Sequence, residues 1–169
     1  QLPLWFVEGM AEYFSVGPID PNTAMWVRDA ARQEQLPSLD DLDDPKYFPY
    51  RWGQAFWAYV GGRWGDDVIQ QMLRIAGAAG DVEVAIQKAL GLTTKELSDQ
   101  WHASIRDAYE PVLAATASPD GAARLVVKGD PFASSVNIGP AISPDGRWIT
   151  FLSSRSFFSI DLYVADAAT

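Results

Sequence analysis

The segment Leu4–Ser15, LWFVEGMAEYFS, constrains the fold most, because it predicts a helix that is apolar around most of its circumference. At helical spacing, Trp5, Glu8 and Glu12 lie one turn apart along one side. The rest of the helix carries apolar side chains: Leu4, Phe6, Val7, Met10 and Tyr13. Such a helix is expected to be buried. A buried carboxylate needs a cationic partner or a bound cation, so Glu8 predicts either an ion pair, with Arg51 as one candidate, or a ligand site.

Two glycines within helical patterns predict close approach of a neighbouring group. Glycine lowers helix propensity by about 1 kcal/mol relative to alanine. Gly9 follows Glu8 directly, and Gly53 lies one turn after Tyr50 in a second aromatic-rich segment. A helical glycine is favoured where another backbone or a bound group comes near. The two aromatic-rich helices are therefore expected to pack together.

Start and stop residues divide the first 115 residues into six helices. The five helices after the first run from Asn22 to about Gln35, from Tyr50 to about Arg63, from Asp66 to Gly77, from Asp81 to Gly91, and from Thr93 onward. Asn22 is expected to cap the second helix. Thr93 and Glu96 form a capping box, and Pro111 is expected to bend or end the last helix.

An acidic stretch, Ser38–Pro49, carries four aspartates: Asp40, Asp41, Asp43 and Asp44. It lacks the glycine and the final bidentate glutamate of an EF-hand calcium loop. A solvated loop is therefore favoured over a calcium site. The stretch is also a candidate for the acidic rim of a cleft.

The character of the chain changes after about Ala115, where two SPDG sequences predict tight turns. The segments around them predict four strands: Ala123–Val127, Gly139–Ile142, Arg147–Leu152 and Ile160–Ala165. The predicted fold class is mainly α, followed by a short antiparallel β segment. The expected domains are 1–115 (helical), 116–128 (linker and first strand) and 129–169 (β).

Composition excludes several function classes for this 169-residue chain. Its net charge of −9 argues against binding to nucleic acid or to an anionic membrane surface. No apolar run is long enough to span a bilayer, which argues against membrane insertion. The absence of cysteine excludes disulfides and thiol catalysis. The single histidine, His102, flanks Trp101 on the last helix and is expected at the helix surface.

Two C-terminal stretches resemble the start of a TolB-type β-propeller of the WD40-like repeat class. They are PAISPDGRWITFLSSR (Pro140–Arg155) and DLYVADA (Asp161–Ala167), and together they cover about one blade. A propeller needs several blades, so the resemblance implies a chain cut from a longer protein. It also implies a propeller that binds another protein, and a periplasmic or extracellular location by family analogy.

The stretch WFVEGMAEYFS (Trp5–Ser15) resembles the W-x-x-E-G-x-A-x-Y motif of gluzincin metallopeptidases, which are thermolysin-like zinc peptidases. The resemblance implies that Glu8 is a zinc ligand. PYRWGQAFWAY (Pro49–Tyr59) resembles the P-Y-x-x-G stretch of the aminopeptidase branch, which implies that Tyr50 stabilises the oxyanion. ALGLTTKELSDQWHASI (Ala89–Ile105) is similar to the helical tail of bacterial peptidases of this type.

The chain departs from that family in lacking the H-E-x-x-H helix, which supplies two zinc-binding histidines and the general base. His102 is alone and cannot substitute. In the family this helix precedes the W-x-x-E-G motif, so it is expected upstream of Gln1. The resemblance implies an intact zinc-dependent peptidase that hydrolyses peptide or protein substrates with a metal-activated water. This chain alone would then be inactive and need not hold zinc.

Like Glu8, two further residues keep more than one interpretation. Glu12 either orients a zinc-binding histidine or is an exposed helix residue. Tyr50 either donates to the oxyanion or packs in an aromatic core. If the peptidase interpretation holds, Glu8, Glu12 and Tyr50 should converge. The competing function is a non-catalytic scaffold or protein-binding module.

Overall fold

The computed structural model of this chain describes residues 1–117, 119–128, 136–155 and 159–168. The chain forms two compact units, Gln1–Thr116 and Ala117–Thr169. The first is helical, and the second contains a three-stranded antiparallel sheet. The predicted fold class, mainly α followed by a short antiparallel β segment, is confirmed.

Six helices form the first unit: α1 Leu4–Val16, α2 Pro21–Arg32, α3 Pro49–Trp64, α4 Asp66–Ala79, α5 Val82–Leu90 and α6 Thr94–Ala115. The Thr93–Glu96 capping box is present, and Asp81 caps α5 as predicted. Asp20, and not Asn22, caps α2: its Oδ1 accepts a hydrogen bond from the Thr23 N–H at 2.7 Å. Pro21 at the first helical position places the cap one residue before it.

Pro111 does not end α6, because the helix continues to Ala115. Proline removes one intrahelical donor and leaves the carbonyl of Asp107, one turn earlier, without its usual partner. Both residues are exposed, so water can hydrate that carbonyl.

Helices α1 and α3 cross with their backbones in contact. A Cβ atom added to Gly9 would lie 2.2 Å from Gly53 Cα, and one added to Gly53 would lie 2.0 Å from the Trp5 carbonyl oxygen. The predicted interpretation of both glycines as close-approach positions is therefore confirmed. The Trp57 indole of α3 donates a hydrogen bond to the Phe6 carbonyl of α1 at 2.8 Å, which adds a second link between the two helices.

An aromatic core fills the space beside this crossing. The rings of Trp5 and Phe56 meet edge to face with centroids 5.1 Å apart, and Phe6 lies 4.7 Å from Trp57. Trp101 of α6 closes the cluster, with its centroid 6.2 Å from that of Phe56. Edge-to-face pairs add to the stabilisation from apolar burial.

The prediction that α1 is buried nearly all round is wrong. Its side toward α3 is buried, but Leu4 and Phe14 are 60% and 63% exposed, and Val7 is also exposed. The reason is that the other described residues pack only against the side of α1 that bears Gly9, so the opposite side of the helix stays exposed.

The acidic stretch is a hydrogen-bonded turn with a 3-10 helix over Asp40–Asp43. Leu39 and Leu42 are buried beneath it, while the aspartate side chains are exposed. Asp41 accepts hydrogen bonds from the backbone N–H and hydroxyl of Ser38 at 2.9 and 2.7 Å. These carboxylates therefore serve the turn itself.

The second unit contains strands β1 Asn137–Ile142, β2 Trp148–Ser153 and β3 Asp161–Asp166 in the order β1-β2-β3. Phe151 of β2 lies opposite Tyr163 of β3, and their rings stack 5.8 Å apart. Asp145 forms the turn between β1 and β2, as predicted, by accepting hydrogen bonds from the Ser143 hydroxyl and the Arg147 N–H.

The predicted strand Ala123–Val127 is not present. A one-turn helix, α7 Pro119–Ala122, precedes it, and residues 123–128 have no regular secondary structure. Among the described residues no strand pairs with this segment, so it lacks the neighbouring strand whose hydrogen bonds would stabilise an extended conformation. Ser118, in the first SPDG sequence, lies outside the described residues.

The glycine contact predicts opposite effects for two substitutions in α3. Gly53→Ala should lower the free energy of unfolding by about 3 kcal/mol or more, because its Cβ overlaps the α1 backbone. Gly62→Ala should raise it by about 0.5–1 kcal/mol, because an added Cβ there meets nothing within 4 Å. Urea unfolding followed by far-UV circular dichroism measures both. Equal effects at the two positions would contradict the close contact.

Candidate functional site

The α1–α3 crossing brings Glu8, Glu12 and Tyr50 together. Tyr50 is the second residue of α3, and Glu8 lies beside Gly9 at the crossing. The negative charge of Glu8 is the main cause of a raised pKa at Tyr50, and burial and a hydrogen bond with Glu8 raise it further. Glu12 adds a smaller electrostatic effect of the same sign. The Tyr50 hydroxyl therefore lies near the Glu8 carboxylate and stays protonated at neutral pH.

Arg51 pairs with Glu12 and not with Glu8. Its Nη1 lies 3.0 Å from Glu12 Oε1 and 3.0 Å from Asp20 Oδ1, and all three side chains are largely buried. Among the described residues, Glu8 forms no ion pair with lysine or arginine. The ion-pair interpretation of Glu8 with Arg51 is therefore wrong, because Arg51 is held by the other two carboxylates.

The same geometry excludes the interpretation of Glu12 as a free surface residue. Its side chain is 22% exposed and anchors Arg51. Asp20 is the member of this network that sequence reasoning missed. The available signal was the Asp20-Pro21 pair, since an N-cap before a first-turn proline fixes a carboxylate at a helix start.

Tyr50 lies at the surface and not in the aromatic core. It is 37% exposed and lies at the end of a row of exposed rings. Phe48 is 5.2 Å from Tyr50 between ring centroids, and Trp26 is 5.9 Å from Phe48. A packing role in the core is therefore excluded, and the hydroxyl is placed beside Glu8.

The hydrogen bond of His102 is made to Pro37, and not to Glu8, Glu12 or Tyr50. Its Nε2 is 2.7 Å from the Pro37 carbonyl oxygen, which can only accept, so Nε2 carries the proton. The side chain is half-buried, where a surface position was predicted. It ties α6 to the segment before the acidic turn.

The described residues do not make a complete zinc site. They contain no group of three or more histidine, cysteine, aspartate or glutamate residues placed to hold a metal ion. A catalytic zinc site takes three protein ligands. Glu8 can supply one carboxylate, and the described residues do not complete a set of three ligands around it.

Comparisons with known proteins do not assign this chain to a family. No protein-family model, no curated protein and no solved structure matches this chain. None of the helices in the described residues combines the length and apolarity needed to cross a membrane.

Glu8→Gln should lower the pKa of Tyr50, because it removes the largest cause of the shift. Glu12→Gln should lower it less. NMR titration of the labelled tyrosine ring carbon measures both. Tyr59 is the internal control, because burial is the main cause of its raised pKa. An unchanged Tyr50 pKa in Glu8→Gln would contradict the proposed contact.

Asp20→Asn should make the helical unit less sensitive to acid. The hydrogen bond from the Thr23 N–H, and then the charge of Arg51, hold the pKa of Asp20 below its ordinary value. This stabilisation is present above the unfolded-state pKa, near 4, and disappears as the pH falls through the lower folded-state pKa. Unfolding midpoints between about pH 5 and pH 2 test this. The slope should be shallower in Asp20→Asn than in the control Asp107→Asn, and identical slopes would refute it.

Proposed function

We propose that this chain is part of a zinc-dependent peptidase, with Glu8 as one metal ligand and Tyr50 as the donor to the oxyanion. The observation that carries the proposal is the position of Glu8 near Tyr50 at the start of α3, close enough for the Glu8 charge to raise the pKa of Tyr50. Zinc-dependent hydrolysis of a peptide bond needs the metal ligands and the oxyanion donor close together.

Glu8 has the properties that a carboxylate ligand requires. The backbone beside it is fixed by the contact between Gly9 and Gly53, so the side chain is aimed from a rigid element. It is half-buried and forms no ion pair with lysine or arginine among the described residues. Its charge is therefore available to a bound cation. Zinc at such a site lowers the pKa of a water ligand and polarises a scissile carbonyl.

Tyr50 suits the oxyanion role because its phenol stays protonated. Glu8 raises its pKa, so the hydroxyl donates at neutral pH. It lies in the first turn of α3, where the helix dipole favours negative charge nearby. In the proposed reaction its hydroxyl donates a hydrogen bond to the developing oxyanion of the substrate.

Glu12 is a positioning residue in this proposal. Arg51 uses its Oε1 atom, and Asp20 holds the same arginine from the start of α2. The network fixes the α1 side chains relative to α3. The proposal assigns the second oxygen of Glu12 to orienting a zinc-binding histidine.

The proposal requires two further ligands from outside these 169 residues. It therefore expects a longer natural protein with an H-E-x-x-H sequence upstream of Gln1, and an inactive chain when residues 1–169 stand alone. The competing function is a non-catalytic scaffold or protein-binding module.

The test uses the protein as its gene encodes it. We expect one zinc ion per chain by mass spectrometry, and hydrolysis of unmodified peptides. Glu8→Gln should remove the zinc. Tyr50→Phe should keep the zinc and lower kcat by about 10²–10³ with little change in KM, as loss of an oxyanion donor does.

Glu83→Gln, an exposed position on α5, is the matched control and should change neither property. A gene product without zinc or without H-E-x-x-H would refute the peptidase proposal. Zinc and hydrolysis in residues 1–169 alone would contradict the requirement for outside ligands.

A further inference from the structure

A cavity of about 330 Å³ that is partly open to solvent lies between α2, α3 and α6 of the helical unit. Its walls come from the α1–α2 connection and the three helices: Pro18, Ile19, Asp20, Thr23, Ala24, Val27, Gln54, Ala55, Ala58, Tyr59, Trp101, Ser104, Ile105, Ala108 and Tyr109. Glu8, Glu12 and Tyr50 do not line it. The cavity is therefore separate from the proposed peptidase site.

Small side chains leave this space open. Ala24, Ala55 and Ala58 lie where α2 and α3 face the cavity, and the aromatic ring of Trp101 forms part of the opposite wall. A volume of about 300 Å³ is the lower end of the range for small-molecule sites. The alanines thus maintain a space of the size that a ligand fills.

The charges of the wall favour an uncharged occupant. The lining contains no lysine, arginine or histidine to bind an anion. Its one carboxylate, Asp20, is already engaged by Arg51 and by the Thr23 N–H. A cationic ligand would have to displace Arg51, which also holds Glu12.

Four hydroxyl groups supply polarity in the apolar wall, those of Thr23, Tyr59, Ser104 and Tyr109. Thr23 is 5% exposed, and its hydroxyl makes no hydrogen bond of normal geometry among the described residues. Tyr59 has a pKa raised by burial, an effect that Arg63 partly offsets, so it stays a neutral phenol. A ligand with one hydrogen-bonding group can use a hydroxyl of this wall and bury the rest of its surface.

We propose that this cavity binds a small, uncharged aromatic molecule with a single hydrogen-bonding group, of the size of indole. An apolar cavity of about 150 Å³ suffices for benzene, so 330 Å³ accommodates a bicyclic ring. Tyr59 and Tyr109 line the cavity with half-buried rings, which can make the contacts that aromatic pairs prefer.

The test measures indole binding to the 169-residue protein by calorimetry and by NMR. We expect one saturable site, with intermolecular NOEs from indole to the methyl groups of Ala58 and Ile105. Ala58→Leu, which fills the cavity, should weaken binding by at least about tenfold. Ala78→Leu, an exposed position on α4, is the matched control and should bind as the unmodified protein does.

Circular dichroism checks that Ala58→Leu is folded, and Ala24→Leu replaces it if it is not. No saturable binding at millimolar indole, equal binding in the filled variants, or NOEs only to methyl groups elsewhere would each overturn the proposal. Zinc content and peptide hydrolysis are separate measurements, so failure here leaves the peptidase proposal unaffected.

Discussion

The backbone contact between Gly9 and Gly53 is the constraint on which the rest of the helical unit depends. It lets α1 and α3 approach more closely than any side chain at either position would allow. The Trp57 indole can then reach the Phe6 carbonyl across the crossing. The same approach sets Glu8 of α1 against the first turn of α3. The core packing and the candidate site therefore have one geometric cause.

The electrostatics of the site follow from an imbalance of charge. One guanidinium, that of Arg51, faces the carboxylates of Glu12 and Asp20, and Glu8 lies beside them against Tyr50. The group as a whole is negative. A negative surface attracts cations. It also disfavours ionisation of a nearby phenol, which is why the pKa of Tyr50 is raised. An anionic ligand would meet repulsion here.

Local sequence rules were sufficient for the helices and for the glycine contact, because caps, prolines and glycines act within a few residues. The Thr93–Glu96 capping box is an example. These local rules could not predict which side chains pair between helices. Arg51 had several possible carboxylate partners, and only the packing of α1 and α2 on α3 selects Glu12 and Asp20. The segment Ala123–Val127 has the composition of a strand, but a strand also needs a neighbour.

The exposed side of α1 bears on the choice between the two proposed functions. Leu4, Val7 and Ala11 lie within one turn of Glu8 along the helix and are exposed. A helix that brings zinc-binding histidines to Glu8 would have to pack against these residues, and their apolar side chains offer it a surface. The peptidase proposal thus accounts for the apolar face and for the Glu8–Tyr50 contact with one additional element. A binding module accounts for the face alone and leaves the half-buried carboxylate beside Tyr50 without a reason.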